Sequence, residues 1–313
     1  MHRPANMSGA VYLVADIGGT NTRIALGNGD GISTATLTRY RNAEIDDFKT
    51  ALNRFLADHQ GVKITAACIA VAGPVSGPTA KLTNHCWSFD ARLLAKMIGC
   101  EHVSLVNDMG ALARTIPALS EPHTQIWKAA SPQNGDQSLV IGLGTGVNAS
   151  ALIGTTSVAA EIGHSALTLP MAQILQDAFG HTCNPADTIE DYLSGRGLQK
   201  LHKLATGEDL DGIAISNAAK TDGHPAQNTS RVYGALLAEL IYELSLHYLP
   251  RHGVYLAGSV VRGMFETPAH DALIKGLGKD HTMAPTVNSI PVSLITDDAA
   301  ALLGCLEIAK SAA

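Results

Sequence analysis

Two stretches of the chain share one order of apolar and turn-forming residues. In each, an apolar run enters a glycine-rich turn and a second apolar run follows, which predicts strand, tight turn, strand. The first covers residues 11–26 with the turn Gly18-Gly19-Thr20-Asn21, and the second covers residues 138–153 with the turn Gly144-Thr145-Gly146. We expect the glycines to adopt positive φ, so that backbone N–H groups approach an anion such as a phosphate.

In the rest of the chain, apolar runs typical of strands alternate with apolar patterns typical of helices, which predicts βαβ units and a largely parallel sheet. Two polar stretches interrupt the pattern: residues 120–137 are expected to be a connection, and residues 206–231 a mobile surface excursion. The predicted helices are 45–59, 91–98, 109–116, 171–179, 189–193, 232–249 and 298 to the end; the strands are 64–72, 103–106 and 290–295, with a βα unit at 253–261.

The composition excludes several classes of protein. Apolar residues make up 46% of the 313 residues and charged residues 16%, which is typical of a globular chain long enough for two domains. A net charge of −6 argues against nucleic acid as a partner. No segment is long enough to span a membrane, and residues 11–15 are too short for a secretory signal. Five scattered cysteines without a C-x-x-C pair predict reduced, mostly buried thiols and a cytoplasmic location.

Asp16 stands directly before the first turn and changes its interpretation. A carboxylate beside a polyphosphate is repelled unless a divalent cation lies between them, so Asp16 points to a magnesium nucleotide. One glycine turn alone is more often structural, but two in matching strand contexts favour nucleotide binding. The chain has no G-x-x-x-x-G-K-[ST] motif, and its first turn leads into a strand where a Rossmann fingerprint requires a helix.

Seven segments carry further chemistry and follow one another in a recognisable order. They are Asp16-Ile-Gly-Gly-Thr-Asn21, Leu82-Thr-Asn84-His85-Cys-Trp87, Val106-Asn107-Asp108, Gly142-Leu-Gly-Thr-Gly146, Glu161-Ile-Gly-His164, Glu190-Asp-Tyr-Leu-Ser-Gly195 and Ala257-Gly258. In this order the chain resembles the bacterial glucokinases, within the superfamily of sugar kinases, actin and heat-shock chaperone ATPases. The resemblance covers essentially the whole chain.

The resemblance implies an α/β fold of two duplicated, ribonuclease-H-like or actin-like domains with a cleft between them. The small α/β domain would cover residues 1–112, completed by a C-terminal helix at about 299–313, and the larger α+β domain would cover residues 113–298. The implied reaction is the transfer of a phosphoryl group from ATP to the 6-hydroxyl of D-glucose, with Mg²⁺ as cofactor, in a homodimer.

The resemblance also assigns roles to individual residues. Asp108 would be the catalytic base, and Asp16 would act on Mg²⁺ through water. The implied glucose ligands are Asn84, Asn107, Asp108, Glu161, His164 and Glu190, and the implied ATP-binding residues are Asp16, Gly18, Gly19, Thr20, Asn21, Gly144, Thr145, Gly146 and Gly258.

Each of these residues also has a structural interpretation. Asp108 could cap the helix that follows it, and Glu161 could be a first-turn glutamate stabilised by a helix dipole. Glu190 lies in Thr188-Ile-Glu-Asp191, which resembles a capping box, and Trp87 could pack rather than stack on sugar. Two other functions stay open: a kinase for mannose, fructose or N-acetylglucosamine, and a sugar-responsive regulator that has lost catalysis.

Overall fold

The computed structural model describes residues 9–83, 85–120, 123–130, 135–180, 182–280 and 282–313. By its contacts the chain forms two compact units. The first spans Met1–Leu119 and Asp297–Ala313, and the second spans Ser120–Thr296. The first division follows residue 119, whereas the sequence analysis placed it after residue 112, inside a helix that covers Asp108–Thr115.

The first unit is built on a six-stranded sheet in the order β3-β2-β1-β5-β9, with β4 paired to β2. The predicted hairpin of β1 and β2 is antiparallel, whereas β5 and β9 continue the sheet in parallel. The strands are β1 (Val11–Ile17), β2 (Asn21–Asn28), β3 (Gly31–Ile32), β4 (Thr38–Arg41), β5 (Ile64–Val71) and β9 (His102–Asn107); β6 (Val75–Ser76), β7 (Thr79–Lys81) and β8 (Ser88–Asp90) form a separate small sheet.

Every residue of β1 is buried, and successive side chains of a strand point to opposite faces of the sheet. Both faces of this sheet are therefore covered, and helices cover them. Leu13 and its alternate neighbours pack with α1 (Phe48–Asp58) and α2 (Ala91–Ile98). Tyr12 and Val14 belong to the opposite layer, formed by α3 (Asp108–Thr115) and the C-terminal helix Ala300–Ala312. The sequence therefore predicted the α2 bounds correctly, and α1 begins three residues after the predicted position.

The second unit repeats the arrangement of the first. Its six-stranded sheet has the order β10-β15-β14-β11-β12-β13, in which β11 and β12 form the second predicted hairpin and β14 and β15 continue it in parallel. A hairpin followed by two parallel strands thus occurs in both units, as the predicted duplication requires. The strands are β10 (Thr124–Lys128), β11 (Gln137–Leu143), β12 (Val147–Ile153), β13 (Thr156–Ala159), β14 (Gly253–Ala257) and β15 (Val292–Ile295).

Two expectations for this unit are wrong. The supposed connection at residues 120–137 contains β10, which pairs antiparallel with β15. The stretch 206–231, predicted to be a mobile surface excursion, contains one whole helix and the first six residues of another. Asp211 caps the first of these helices by accepting from the Ala214 N–H at 2.8 Å. The helices of this unit are α4 (Leu169–Phe179), α5 (Glu190–Leu193), α6 (Gly195–Thr206), α7 (Gly212–Ala219), α8 (Ala226–Tyr248), α9 (Ser259–Met264), α10 (Ala269–Leu277) and α11 (Ala284–Asn288).

Most of the cysteines are at least partly exposed. All five cysteines are free, but only Cys68 and Cys305 are buried, and Cys86 is exposed, so the expectation of mostly buried thiols is wrong. Among the described helices, none combines the length and the apolarity that crossing a bilayer requires.

His202 on α6 predicts a pH-dependent stability. The side chain is fully buried, with Nδ1 3.1 Å from Thr229 Oγ1, and Nε2 has no partner among the described residues. Burial lowers the pKa of His202 below 6.5, opposed by Glu208 and reinforced by His224. The folded protein therefore favours the neutral ring, and this contribution to stability is complete above about pH 6.5 and is lost as the pH falls.

We expect the urea concentration at the unfolding midpoint of the wild type to decrease when the pH is lowered from about 7.5 to about 5.5. In His202→Gln the midpoint should depend less on pH. His247→Gln, which removes an exposed histidine from the neighbouring α8, is the matched control and should retain the wild-type slope. Equal slopes for all three proteins would show that another group carries the pH dependence.

Candidate active site

The first glycine turn joins β1 to β2 and is held by side chains from elsewhere in its unit. Asn42 donates from Nδ2 to Gly18 O at 2.8 Å, and its backbone N–H donates to Thr20 O at 2.9 Å. His85 Nε2 lies 2.7 Å from Gly19 O. Three successive carbonyls of the turn are thus engaged, which holds the turn in one conformation. Asn84, the predicted sugar ligand beside His85, lies outside the described residues.

Asp16 is the second-last residue of β1, the strand that leads into this turn. It is 8% exposed, and Arg23 on the adjacent strand donates from Nη1 to its Oδ2 at 2.9 Å. Burial raises the pKa of Asp16, which Arg23 opposes and the nearby Asp298 carboxylate reinforces. Arg23 is not among the predicted site residues, although the tight hairpin places it directly opposite Asp16.

The donor chemistry of Asp16 fits magnesium. A carboxylate oxygen is a hard ligand, and Mg²⁺ is usually held by one or two carboxylates together with substrate phosphates and water. Among the described residues, no group of three or more His, Cys, Asp or Glu side chains is placed to hold a metal ion by itself. Asp16 therefore suits a cation that arrives with a nucleotide.

Asn107 and Asp108 stand where β9 passes into α3. Asn107 is the helix cap: its Oδ1 accepts from the Met109 N–H at 3.0 Å, and its Nδ2 donates to Gly73 O at 3.2 Å. The alternative interpretation of Asp108 as the cap is therefore wrong, because Asp108 is the first residue inside the helix. Asp16 and Asp108 lie at the same carboxyl edge of the sheet, where ligands of α/β proteins bind.

The second glycine turn is joined to Glu190. The Val147 N–H donates to Glu190 Oε2 at 3.0 Å, and Arg196 Nη2 lies 3.2 Å from Glu190 Oε1. A Cβ built on Gly146 would lie 2.7 Å from Glu190 Oε2, so this glycine leaves room for the carboxylate. The expected capping contact is made by Asp191, whose Oδ2 accepts from the Thr188 N–H at 2.8 Å. Glu190 is left to contact the turn.

Positive φ is not the reason for glycine in either turn. The described glycines with positive φ lie elsewhere, so the expectation made for Gly18, Gly19, Gly144 and Gly146 is wrong. A Cβ at Gly144 would meet nothing within 4 Å, in contrast to Gly146. In the second turn glycine provides space for a neighbouring side chain.

Glu161 directly precedes a short 3-10 helix, Ile162–His164, beside the second turn, and His164 is the last residue of that helix. Asn148 Nδ2 donates to Glu161 Oε2 at 3.0 Å, and both Glu161 and His164 are exposed. A Cβ on Gly163 would lie 2.1 Å from Val147 O, so this segment packs directly on the turn. Asn148 thus positions Glu161.

A cavity of about 530 Å³ opens beside the same turn. This volume is within the usual range for small-molecule sites. Three helices of the unit form the rest of its wall, and α7 belongs to the stretch that the sequence analysis assigned to a loop. The lining residues are Gly144, Thr145, Gly195, Arg196, Leu198, Gln199, Asp211, Gly212, Ile213, Ser216, Asn217, Ser259, Val260 and Gly263.

Gly258 connects β14 to α9 at the edge of this cavity, directly before Ser259. Its φ is +113°, and a Cβ at this position would lie 2.2 Å from Leu143 O. Both the conformation and the close approach require glycine. Glycine at position 258 therefore lets the start of α9 pack directly against Leu143, the residue before the second glycine turn, and so helps to position that turn beside the cavity.

We expect Gly258→Ala to destabilise the second unit by about 2–4 kcal/mol, because strained φ and a backbone clash add. Binding of a non-hydrolysable ATP analogue should weaken as well. Two control variants separate the effect of strained φ from that of the clash. Gly207→Ala replaces a glycine that has positive φ and open space around it, so it should lower the free energy of unfolding by about 1 kcal/mol. Gly144→Ala has neither problem and should hardly change it. Urea unfolding and calorimetry measure both quantities. Equal losses for Gly258→Ala and Gly207→Ala would contradict the clash.

Three comparisons with known proteins agree on one family. The glucokinase family model matches residues 13–312 of the chain. A glucokinase of Yersinia enterocolitica is 28% identical in an alignment that covers 93% of this chain and 94% of that protein.

Solved structures have the same fold. The glucokinase of an Antarctic psychrotroph has a TM-score of 0.82 at 24% identity and covers 97% of this chain and 100% of its own. A ROK family glucokinase from Streptomyces griseus, in complex with glucose and AMPPNP, has a TM-score of 0.67 at 20% identity and covers 96% and 100%. These likenesses confirm the predicted two-domain α/β fold. Because the family model covers nearly all of the chain, the protein belongs to the glucokinase family.

Proposed function

We propose that this enzyme transfers the γ-phosphoryl group of MgATP to the 6-hydroxyl of D-glucose, giving glucose 6-phosphate and ADP. The observation that carries the proposal is the Glu190 carboxylate, a predicted sugar ligand that contacts the glycine turn beside the cavity. Glucose and AMPPNP, bound in the Streptomyces griseus relative, support the same substrates here.

In this proposal the second unit binds the nucleotide through backbone and cavity. The cavity accepts the nucleoside, Gly144, Thr145 and Gly146 lie against the phosphates, and Gly258 contributes by letting α9 pack against Leu143 directly before this turn. From the first unit, Gly18, Gly19, Thr20 and Asn21 are proposed to contact the phosphates, with Asp16 directed through water to the cation. Bound Mg²⁺ would neutralise charge on the β- and γ-phosphates.

The sugar is proposed to be held by carboxylate and amide groups, which suit adjacent hydroxyls because each can accept or donate in a fixed fork. Asn84, Asn107, Glu161, His164 and Glu190 are the proposed ligands. Asp108 is proposed to orient the 6-hydroxyl and accept its proton as the phosphoryl group is transferred. Because phosphoryl transfer has a loose transition state, alignment of the two substrates supplies most of the catalysis.

A coupled assay of ADP release with a panel of hexoses tests the proposal. D-glucose, mannose, fructose and N-acetylglucosamine are compared at equal concentrations, and D-glucose should give the highest kcat/KM. A higher value for another hexose would change the substrate and keep the reaction. Absence of sugar-dependent ADP release would reject the kinase function and favour a non-catalytic member of the fold.

We also propose that the protein is a homodimer located in the cytoplasm. Sedimentation equilibrium tests the dimer, with twice the chain mass of 32.7 kDa as the expected result.

A further inference from the structure

Arg196 is distinguished by its place at the cavity wall. Of the described residues that line the cavity of about 530 Å³, it alone carries a positive charge. Its side chain is 78% exposed, so the guanidinium can move toward a ligand. The one acidic residue of the lining, Asp211, is engaged as the cap of α7. A bound polyphosphate would therefore find its cationic partner in this wall at Arg196.

In the structure Arg196 contacts a different anion. Its Nη2 lies 3.2 Å from Glu190 Oε1, while the other oxygen of the same carboxylate accepts from the Val147 N–H at 3.0 Å. Glu190 is 20% exposed and stands between the second turn and Arg196. One carboxylate thus links the wall of the cavity to the predicted sugar site.

The ion pair is of a kind that a nucleotide can replace. Exposed pairs of this type contribute little to stability, because solvent screens them and the long side chain loses freedom. A phosphate offers the guanidinium a bidentate, more highly charged partner. An arriving polyphosphate should therefore compete effectively with Glu190 for Arg196.

We propose that Arg196 is a nucleotide-phosphate ligand, and that it exchanges Glu190 for the polyphosphate when ATP binds. The exchange frees an oxygen of Glu190 to accept from a sugar hydroxyl, so nucleotide binding favours glucose binding. By thermodynamic linkage, glucose favours nucleotide binding by the same factor. The inference rests on the proposed function and adds a residue that the sequence motifs do not include.

Calorimetry on the intact protein tests the inference without relying on turnover. The Kd of glucose is measured with and without saturating AMPPNP and Mg²⁺, and the Kd of AMPPNP is measured with and without glucose. In the wild type we expect each ligand to tighten the other at least about fivefold. Arg196→Gln should weaken AMPPNP about tenfold and reduce the mutual effect to less than about twofold.

Lys203→Gln is the matched control. Lys203 lies on the same helix, pairs with Asp209 and does not line the cavity, so the variant removes an equal charge and should behave as the wild type. Arg196→Lys keeps the charge without the planar fork and should recover part of the AMPPNP affinity. The melting temperatures of all variants should agree closely, since both replaced side chains are largely exposed.

Two results would overturn the inference. AMPPNP binding by Arg196→Gln within twofold of wild type would exclude Arg196 as a phosphate ligand, and an unchanged mutual effect would exclude the exchange. The hexose assay on the wild type separates these from a failure of the proposed function. If the wild type releases ADP with glucose while Arg196→Gln binds AMPPNP normally, only the inference fails.

Discussion

Replacing Asp108 with asparagine is expected to lower kcat by roughly 10²- to 10⁴-fold, the usual contribution of a positioned general base. The amide keeps the size of the side chain but cannot accept the proton of the 6-hydroxyl. Because the helix cap is Asn107, the change leaves the capping contact of α3 intact. Glucose affinity should stay within a few-fold of wild type, and steady-state kinetics with calorimetry measure the two effects separately.

Asp90→Asn is the matched control for this change. Asp90 caps α2 in the same unit, so the variant makes the same chemical replacement at another helix start. Its kcat should remain near wild type. Near-normal turnover by Asp108→Asn would instead assign Asp108 the role of an acidic first-turn residue that interacts with the helix dipole.

Replacing Asp16 with asparagine is expected to lower kcat/KM for MgATP by about 10²- to 10³-fold, the scale seen when one preorganised electrostatic contact is removed. The Mg²⁺ concentration for half-maximal activity should rise, whereas glucose affinity should hardly change. The reason is that the carboxylate is proposed to act on the cation and not on the hexose. Titration of Mg²⁺ at fixed ATP gives the decisive curve.

Stability must be followed in the same variant, because Asp16 is also the partner of Arg23. Asparagine retains an acceptor oxygen but removes the charge, so the melting temperature should fall while the protein stays folded. Asp30→Asn removes a charge from an exposed position of the same unit and controls for net charge. A Mg²⁺ requirement equal to that of wild type would exclude the proposed role of Asp16 with the cation.

The sequence predicted those helices and strands that are determined by residues close together in the chain. Both hairpins form at the glycine turns, α2 has its predicted bounds, and β9 covers the predicted 103–106 with one further residue at each end. Apolar periodicity together with turn-forming and helix-capping residues suffices to predict these elements, since their hydrogen bonds are made within a few residues or between adjacent strands. The capping contact predicted for residues 188–191 is likewise present, made by Asp191.

Errors arose where apolar periodicity was short or diluted by polar residues. Helix α7 has only eight residues inside a polar stretch, and its buried face, which includes Ile215 and Ala219, is recognisable only against the neighbouring helices. Strand β10 is similar, because its identity as a strand comes from pairing with β15 more than 160 residues later in the chain. Tertiary packing decided both elements.

The sequence by itself determined the duplicated strand-turn-strand pattern, the α/β class and the set of chemical groups, since these follow from local periodicity and residue type. Only the tertiary structure decided which groups meet. Arg196 contacts Glu190 near the cavity wall, His85 reaches the first turn across 66 positions, and Gly146 proves to leave room for Glu190. The contacts of His85 and Gly146 join segments distant in the chain, whereas Arg196 and Glu190 lie six positions apart on successive helices. In each case the geometry depends on how whole helices and sheets pack, which local sequence does not encode.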